Sequence, residues 1–238
     1  VALDSEEEKF EKFPKMISDE LARRKNLFAK NAVGSLGAYR KTVAKDIPAI
    51  IIAIDNIIPV FDLYPDMEPL LVTIAREGAS FGIYLIFTAN STSGVRYKVQ
   101  QNIKNAVAFE LTDKGDYSTL VGKIDGLPLP HIPGRAFIKG NPPVTFQSAV
   151  FANGSTEAEM NVSLLEISEK MKIAWDGPLP KPIPVMPDRV TVGMLKSDYN
   201  NRYRIPVGID NTSLTTAFAD MTDNYCMLVT GSIGSGKS

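Results

Sequence analysis

The spacing of apolar positions in the first forty residues predicts helix. The SEEE segment at residues 5–8 is a capping-box pattern, so we expect a helix to begin there. Pro14 should interrupt this helix or open a second one, and Gly34 and Gly37 should end the helical part. The basic run at residues 23–25 is expected to form a solvated helix face. One apolar helix face is formed by residues at three- and four-residue spacing, namely Phe10, Phe13, Ile17 and Leu21.

Two longer apolar runs predict strands that are buried on both faces, as in a parallel sheet. Residues 48–54 contain six consecutive apolar residues and are followed by Asp55. Residues 81–90 form a second run that ends on Asn90. A helical pattern over residues 66–78 lies between them.

Shorter patterns complete the first 150 residues. We expect a short helix over residues 101–105 and strands over residues 106–111 and 144–150. Residues 125–135 are rich in proline and glycine and contain the single histidine, His131, so we predict a loop. One histidine without cysteine or histidine partners does not indicate a metal site.

The last ninety residues begin with a second capping box, at Thr156. It predicts a helix as far as residue 175, followed by a stiff, proline-rich connector over residues 178–187. Strands are expected over residues 202–209 and 225–230, and Cys226 in the second of these should be a core residue. The helix should bury one stripe of side chains, formed by Met160, Leu164, Ile167, Met171 and Ala174.

Residues 231–238 read GSIGSGKS, which fits the phosphate-binding pattern G-x-x-x-x-G-K-S directly after a predicted strand. In such a loop the backbone N–H groups hold phosphate oxygens, the lysine adds a charge on the β- and γ-phosphates, and the serine hydroxyl ligates Mg²⁺. A flexible Gly/Ser-rich tail is the alternative, and the preceding strand argues against it. The predicted nucleotide-binding residues are Gly231, Ser232, Gly234, Ser235, Gly236, Lys237 and Ser238.

Polar residues follow the two predicted buried strands, where ligands bind in parallel α/β sheets. Asp55 is placed where the Mg²⁺-binding acid of a nucleotide hydrolase would lie, or else it caps the following turn. Asn90 is placed to sense a γ-phosphate or orient a water molecule, or else it is a capping or turn residue. The residue types leave both alternatives open.

Composition narrows these possibilities only slightly. Of the 238 residues, 44% are hydrophobic and 22% charged, which is typical of globular proteins. The net charge of −1 gives no overall attraction to nucleic acid or anionic lipid. A single cysteine allows no internal disulfide, so a reducing compartment is expected. We find no signal peptide and no apolar run long enough to span a bilayer.

These motifs together resemble the FtsK/SpoIIIE branch of RecA-like ATPases, and within it the EssC/EccC motors of type VII secretion systems. The resemblance implies an α/β, RecA-like P-loop NTPase fold. It implies the Walker B part of one module in residues 1–152, a linker in residues 153–188, and the next module, ending in its Walker A loop, in residues 189–238. The resemblance is carried by residues 20–25, 36–40, 48–56, 75–78, 81–85, 132–135, 146–149, 175–178 and 182–184.

The resemblance also implies roles for three polar residues of the first module. Asp55 falls on the Mg²⁺-site aspartate of the family. Asn56 falls where the catalytic glutamate should be, and an amide can orient a water molecule but cannot take its proton. Asn90 falls near a polar sensor that is usually glutamine. The first module is therefore expected to bind nucleotide or to regulate rather than to act as a strong motor.

The resemblance implies that the protein is an ATP- and Mg²⁺-dependent motor for protein export at the cytoplasmic face of the membrane. Its expected partners are small helical secreted proteins, other motor subunits in a hexamer and membrane channel components, with DNA unlikely. The alternatives are a DNA translocase of the same superfamily and a non-hydrolysing docking module. The chain alone is expected not to hydrolyse ATP, because its P-loop and Asp55 would belong to different modules.

Overall fold

The chain is described by a computed structural model that covers residues 7–127, 131–197, 201–223 and 226–236. It folds into two compact units, a first unit formed by Ile17–Lys181 and a second formed by Val1–Met16 together with Pro182–Ser238. Across these described residues, no helix combines the length and the apolar character that crossing a bilayer requires.

The first unit is built around a parallel strand pair. Ile50 lies beside Ile83 and Ile54 beside Phe87, which confirms the two predicted strands and their parallel arrangement. Its helices and strands are α1 (Glu7–Lys30, with residues 17–30 in this unit), α2 (Leu36–Thr42), β1 (Ile50–Ile54), α3 (Ile57–Leu63), α4 (Met67–Glu77), β2 (Ile83–Phe87), α5 (Tyr97–Gln100), β3 (Val107–Ala108), α6 (Lys114–Leu120), β4 (Arg135–Ile138), β5 (Val144–Gln147) and α7 (Glu157–Ala174).

Only one face of the β1–β2 pair is packed, so the prediction of burial on both faces was wrong. Ile52 and Ile83 point to the packed face and are almost fully buried. On the other face, Ile51 is 64% exposed and Ile86 is 58% exposed. In the described residues this sheet has two strands. Strands this apolar can be buried on both faces, but here only one face is packed.

The guanidinium group of Arg24 joins helix α1 to the beginnings of both parallel strands. It is 1% exposed, and it donates to Phe81 O at 2.8 Å and to Pro48 O at 2.9 Å. Its Nε donates to Glu20 Oε1 at 2.7 Å. The pKa of Glu20 is lowered to about 2, chiefly by the hydrogen bonds that Arg23 donates to it. Partial burial acts in the opposite direction, and the hydrogen bond from Arg24 lowers the pKa further. The basic run is therefore not a wholly solvated face.

The first helices differ from the prediction in where they stop. Helix α1 runs through Pro14 without interruption, because burial further along the helix outweighs the one hydrogen bond that a proline cannot donate. Gly37 lies inside α2 rather than ending the helical part, since the Ser35 hydroxyl accepts from Ala38 N and starts this helix anew. Ser5, the first residue of the predicted capping box, lies outside the described residues.

The first unit also contains a three-stranded antiparallel sheet of order β3-β4-β5. Strands β3 and β5 confirm two predictions with shorter bounds, whereas α3, α6 and β4 were not predicted. The helix expected over residues 101–105 was wrong, since α5 comes just before it. The core at this sheet is formed by Ala108, Tyr117, Val121 and Phe137.

Helix α7 and the connector match the predicted elements but not the predicted packing. The capping box is present, with the Thr156 hydroxyl accepting from Glu159 N and the Glu159 carboxylate accepting from Thr156 N. Met160, Leu164 and Ile167 of the predicted stripe are half-buried, whereas Met171 is 68% exposed. No residue of this helix is fully buried, so the prediction of a buried stripe was wrong in degree for the first three and wrong for its last two residues. Residues 178–187 carry no helix or strand, as expected for a proline-rich connector.

The second unit contains one described hairpin, in which β6 (Arg204–Ile209) pairs antiparallel with β7 (Thr216–Asp220). Strand β6 was predicted and β7 was not. Two contacts tie the start of α1 to this unit: Met186 N donates to Glu8 Oε1 at 2.6 Å, and Lys12 Nζ donates to Asn211 O.

The strand predicted over residues 225–230 is wrong for its described part. Residues 226–230 form no strand and are exposed, and Leu228 is 87% exposed. Cys226 is exposed as well, so it is not a core residue. An apolar run forms a buried strand only when it pairs with a neighbouring strand in a sheet, and no described strand pairs with residues 226–230.

Candidate nucleotide and magnesium sites

The carboxyl ends of β1 and β2 lie at one edge of the parallel pair, and each is followed by a polar residue. Asp55 follows β1, and Thr88 follows β2. The Thr88 hydroxyl donates to Asp55 Oδ1 at 2.6 Å and accepts from Asn56 N at 2.8 Å. The predicted aspartate therefore has a well-defined neighbour at the position where ligands bind in sheets of this kind.

Asn56 adopts a left-handed backbone conformation, with φ of 50° and ψ of 80°. Asparagine accepts this conformation more readily than most residues with a side chain. Its Oδ1 atom is buried and has no hydrogen-bond partner, and its side chain does not cap helix α3. The amide oxygen of Asn56 is thus directed into the protein.

Asn90 lies in an exposed loop after β2. The hydrogen bonds of the described residues join Asp55 to Thr88 rather than to Asn90. The same loop is attached to α6 by Thr92 Oγ1, which donates to Asp116 Oδ2 at 2.6 Å. Asn90 lines a polar cleft of about 320 Å³ together with Ser91, Thr92, Ser93, Leu111, Thr112, Asp113 and Asp116.

The predicted phosphate loop is described as far as residue 236. Gly234 and Gly236 have φ of 79° and 80°, a region that glycine enters at no steric cost, and Ser235 N donates to Ser232 O at 3.2 Å in a turn. A β-carbon added at either glycine would meet no atom within 4 Å, so the backbone conformation, not space, calls for glycine. Lys237 and Ser238 lie outside the described residues.

The oxygen chemistry at Asp55 fits a nucleotide-bound magnesium ion. Magnesium in nucleotide sites is held by one or two carboxylates together with phosphates and water, and Asp55 is an exposed carboxylate at a sheet edge. No cluster of three or more histidine, cysteine, aspartate or glutamate residues occurs within the described part of the chain. Asp55 lies in the first unit and the described residues 231–236 of the glycine-rich loop lie in the second.

Sequence reasoning missed Thr88, although a signal was present. Thr88 is the first polar residue after the apolar run of β2, just as Asp55 is after β1. Parallel pairing places Ile54 beside Phe87, so the next residues on the two strands are neighbours. The sequence prediction rests on the last polar residue of the segment, Asn90, and not on the first.

Comparisons with known proteins find that this chain is similar to EssC/EccC proteins of type VII secretion systems. No protein-family model matches it. It is 32% identical to the ESX secretion system protein EccC of Geobacillus thermodenitrificans over 98% of this chain and 16% of that protein. It is 26% identical to the ESX secretion system protein YukB of Bacillus subtilis, over 97% of this chain and 16% of that protein. The chain thus spans about a sixth of the length of these relatives.

Solved structures agree with the sequence relatives. EssC (ATPases 2 and 3) from Geobacillus thermodenitrificans matches 92% of this chain, and 42% of that chain, with a TM-score of 0.80 and 31% identity. Thermomonospora curvata EccC (ATPases 2 and 3), solved in complex with a signal sequence peptide, matches with a TM-score of 0.73 and 21% identity over 92% of this chain and 40% of that one. These matches confirm the α/β P-loop NTPase fold.

Proposed function

The chain is homologous to the EssC/EccC ATPases of type VII secretion systems, and from that premise we propose that it is part of a motor that couples ATP binding and hydrolysis to protein export. The observation that carries this proposal is the polar edge of the parallel strand pair, where Asp55 follows β1 and is held by Thr88. Parallel α/β sheets bind their ligands at this edge.

We assign residues 1–152 to the C-terminal, Walker B part of one ATPase module and residues 153–188 to a linker. Residues 189–238 then form the start of the next module and end in its Walker A loop. The order of the two motifs supports this division, because the glycine-rich loop follows Asp55 in the chain instead of preceding it. The solved EssC relative contains ATPases 2 and 3, which suggests that this chain spans parts of those two modules.

In this arrangement the two nucleotide sites have different residues. The glycine-rich loop, Lys237 and the Ser238 hydroxyl would hold the phosphates and Mg²⁺ of ATP in the downstream module. Asp55 would hold Mg²⁺ in the upstream module, with Asn90 near the γ-phosphate. Asn56 replaces the acid that would take a proton from the attacking water. The upstream module therefore binds nucleotide without efficient hydrolysis.

The proposed partners follow from the relatives. The Thermomonospora curvata EccC structure includes a signal sequence peptide, and we propose that the motor carrying this chain recognises a peptide of small helical secreted proteins. Other copies of the motor, in a hexamer, and the membrane channel are the remaining partners, at the cytoplasmic face of the membrane. The net charge of −1 does not favour DNA as a cargo.

The test compares three substitutions in the full-length motor that carries this chain: Asp55→Ala, Lys237→Ala and, as a matched control, Asp66→Ala. Asp66 is exposed and its side chain caps no helix. Lys237→Ala should abolish most ATP turnover, whereas Asp55→Ala should remove one Mg²⁺-dependent nucleotide site and leave most turnover intact. If Asp55→Ala removes as much turnover as Lys237→Ala, the upstream module hydrolyses ATP and the proposed division of roles is wrong.

A further inference from the structure

We propose that Thr88 is a positioning residue that holds the carboxylate of Asp55 ready for magnesium-nucleotide binding. This inference rests on the function proposed above, because it takes Asp55 as the carboxylate of the upstream nucleotide site. It assigns a role to a residue that is neither acidic nor part of a glycine-rich loop.

The direction of the Thr88 hydroxyl is determined by its two neighbours. Asn56 N donates to Thr88 Oγ1 at 2.8 Å, so the oxygen serves as acceptor on that side. The hydroxyl proton is then free to point to Asp55 Oδ1, only 2.6 Å away. A hydrogen bond from a hydroxyl to a carboxylate at this distance is charge-assisted and stronger than one between neutral groups.

The backbone of Thr88 also forms hydrogen bonds to the residues that flank Asp55 and Asn56. Thr88 N donates to Ile54 O at 3.0 Å, and Ile57 N donates to Thr88 O at 2.9 Å. With its two side-chain hydrogen bonds, this one residue is bonded to four consecutive residues, from the last residue of β1 to the first of α3. The position of Asp55 relative to β2 is thereby set by hydrogen bonds on both sides.

The arrangement leaves one oxygen of the carboxylate for a ligand. Asp55 Oδ1 accepts the Thr88 hydroxyl, and no hydrogen bond from the described residues reaches Oδ2. Asp55 is exposed, so Oδ2 can accept from water bound to magnesium without first losing a protein partner. Groups that hydrogen-bond to metal-binding side chains orient them, and their removal typically costs roughly 10- to 100-fold in metal affinity.

The experiment measures how the binding of a non-hydrolysable ATP analogue to the full-length motor depends on Mg²⁺. The Mg²⁺-dependent binding that is lost in Asp55→Ala defines the upstream site. Thr88→Val keeps the shape of the side chain and removes the hydroxyl, and it should weaken the Mg²⁺ dependence of that site by about 10- to 100-fold. Thr88→Ser restores a hydroxyl and should bind with the Mg²⁺ dependence of the wild type, without the loss of about 10- to 100-fold that a missing partner causes.

Two controls separate positioning from folding. Thr73→Val removes a hydroxyl that donates to a carbonyl inside helix α4, and it should leave the Mg²⁺ dependence unchanged. Binding in the presence of EDTA and the melting temperature should be similar in Thr88→Val and Thr88→Ser. If Thr88→Val binds the nucleotide analogue like the wild type while Asp55→Ala loses the site, the proposed positioning role of Thr88 is wrong and the proposed function stands. If Asp55→Ala has no effect, both are wrong.

Discussion

Arg24 donates from Nη1 to the carbonyl oxygen of Phe81 at 2.8 Å, although 57 residues separate them in the chain. The same guanidinium also binds Pro48 O and Glu20, so one buried cation satisfies polar groups at the start of both parallel strands. These carbonyl oxygens would otherwise lack a partner where Arg24 excludes water. Arg24 therefore binds at the ends of the two strands that lie opposite to the edge carrying Asp55.

Replacing Arg24 by methionine should destabilise the first unit by about 3–5 kcal/mol, because it leaves buried acceptors without a donor. Arg23→Met is the matched control. Arg23 pairs with the same Glu20, but its side chain is 55% exposed, and exposed pairs contribute about 0.2–1 kcal/mol. Urea unfolding of both variants measures the difference. Equal losses would mean that the burial of Arg24 does not determine its contribution.

The low pKa of Glu20 predicts a loss of stability in acid. Its folded pKa is about 2, compared with an ordinary value of 4.5, chiefly because Arg23 and Arg24 donate to its carboxylate. A lowered pKa means that the folded state favours the charged form, so its contribution is fully present above pH about 4.5 and is lost as the pH falls toward about 2. Glu20→Gln should flatten the stability profile in this window.

The control for this measurement is Glu166→Gln, because Glu166 is exposed on helix α7. Unfolding free energies of the three proteins should be compared at several pH values between 5 and 2, a range set by the linkage argument. Parallel curves for Glu20→Gln and the wild type would show that the two arginines do not favour the charged carboxylate.

The sequence predicted the parallel pair, helix α4 between its two strands, and α7, because apolar runs and capping residues are local signals. It could not predict burial, since burial depends on which surfaces meet in space. Four of the five residues 226–230 are apolar, yet they are exposed and unpaired with any described strand. Arg24 illustrates the opposite case, because a charged residue in a basic run is among the most buried side chains.

Helix α7 begins with a capping box but has no fully buried residue, so the contribution of the capping box to its stability can be measured by itself. Thr156→Ala removes the acceptor for Glu159 N and should cost about 1 kcal/mol of helix stability. Because no α7 residue is buried, the loss should appear as fraying of the first turns and not as a lower global melting temperature. Amide hydrogen exchange over residues 157–163 checks this, and Ser168→Ala in the middle of the helix should not speed exchange there.

The candidate site was only partly predictable for a related reason. The position of Asp55 follows from the end of an apolar run, which the sequence displays directly. The contact of Thr88 with Asp55 depends on the register of β1 against β2, and the left-handed conformation of Asn56 depends on the turn that this register imposes. Neither feature is encoded within a single segment of the chain.

Asn56 combines a left-handed backbone with a buried amide oxygen, and this combination predicts how substitutions behave. Asn56→Gly should change stability little, whereas Asn56→Ala and Asn56→Glu should each lose about 1–2 kcal/mol from the backbone alone. Glutamate should not raise ATP turnover in the full-length protein, because the side-chain oxygen of Asn56 is buried and has no contact with solvent. Unfolding free energies and steady-state turnover of the three variants measure both effects. A stable Asn56→Glu variant with turnover raised a hundredfold, the gain typical of a general base, would show that the buried position of this side chain does not prevent a base from acting there.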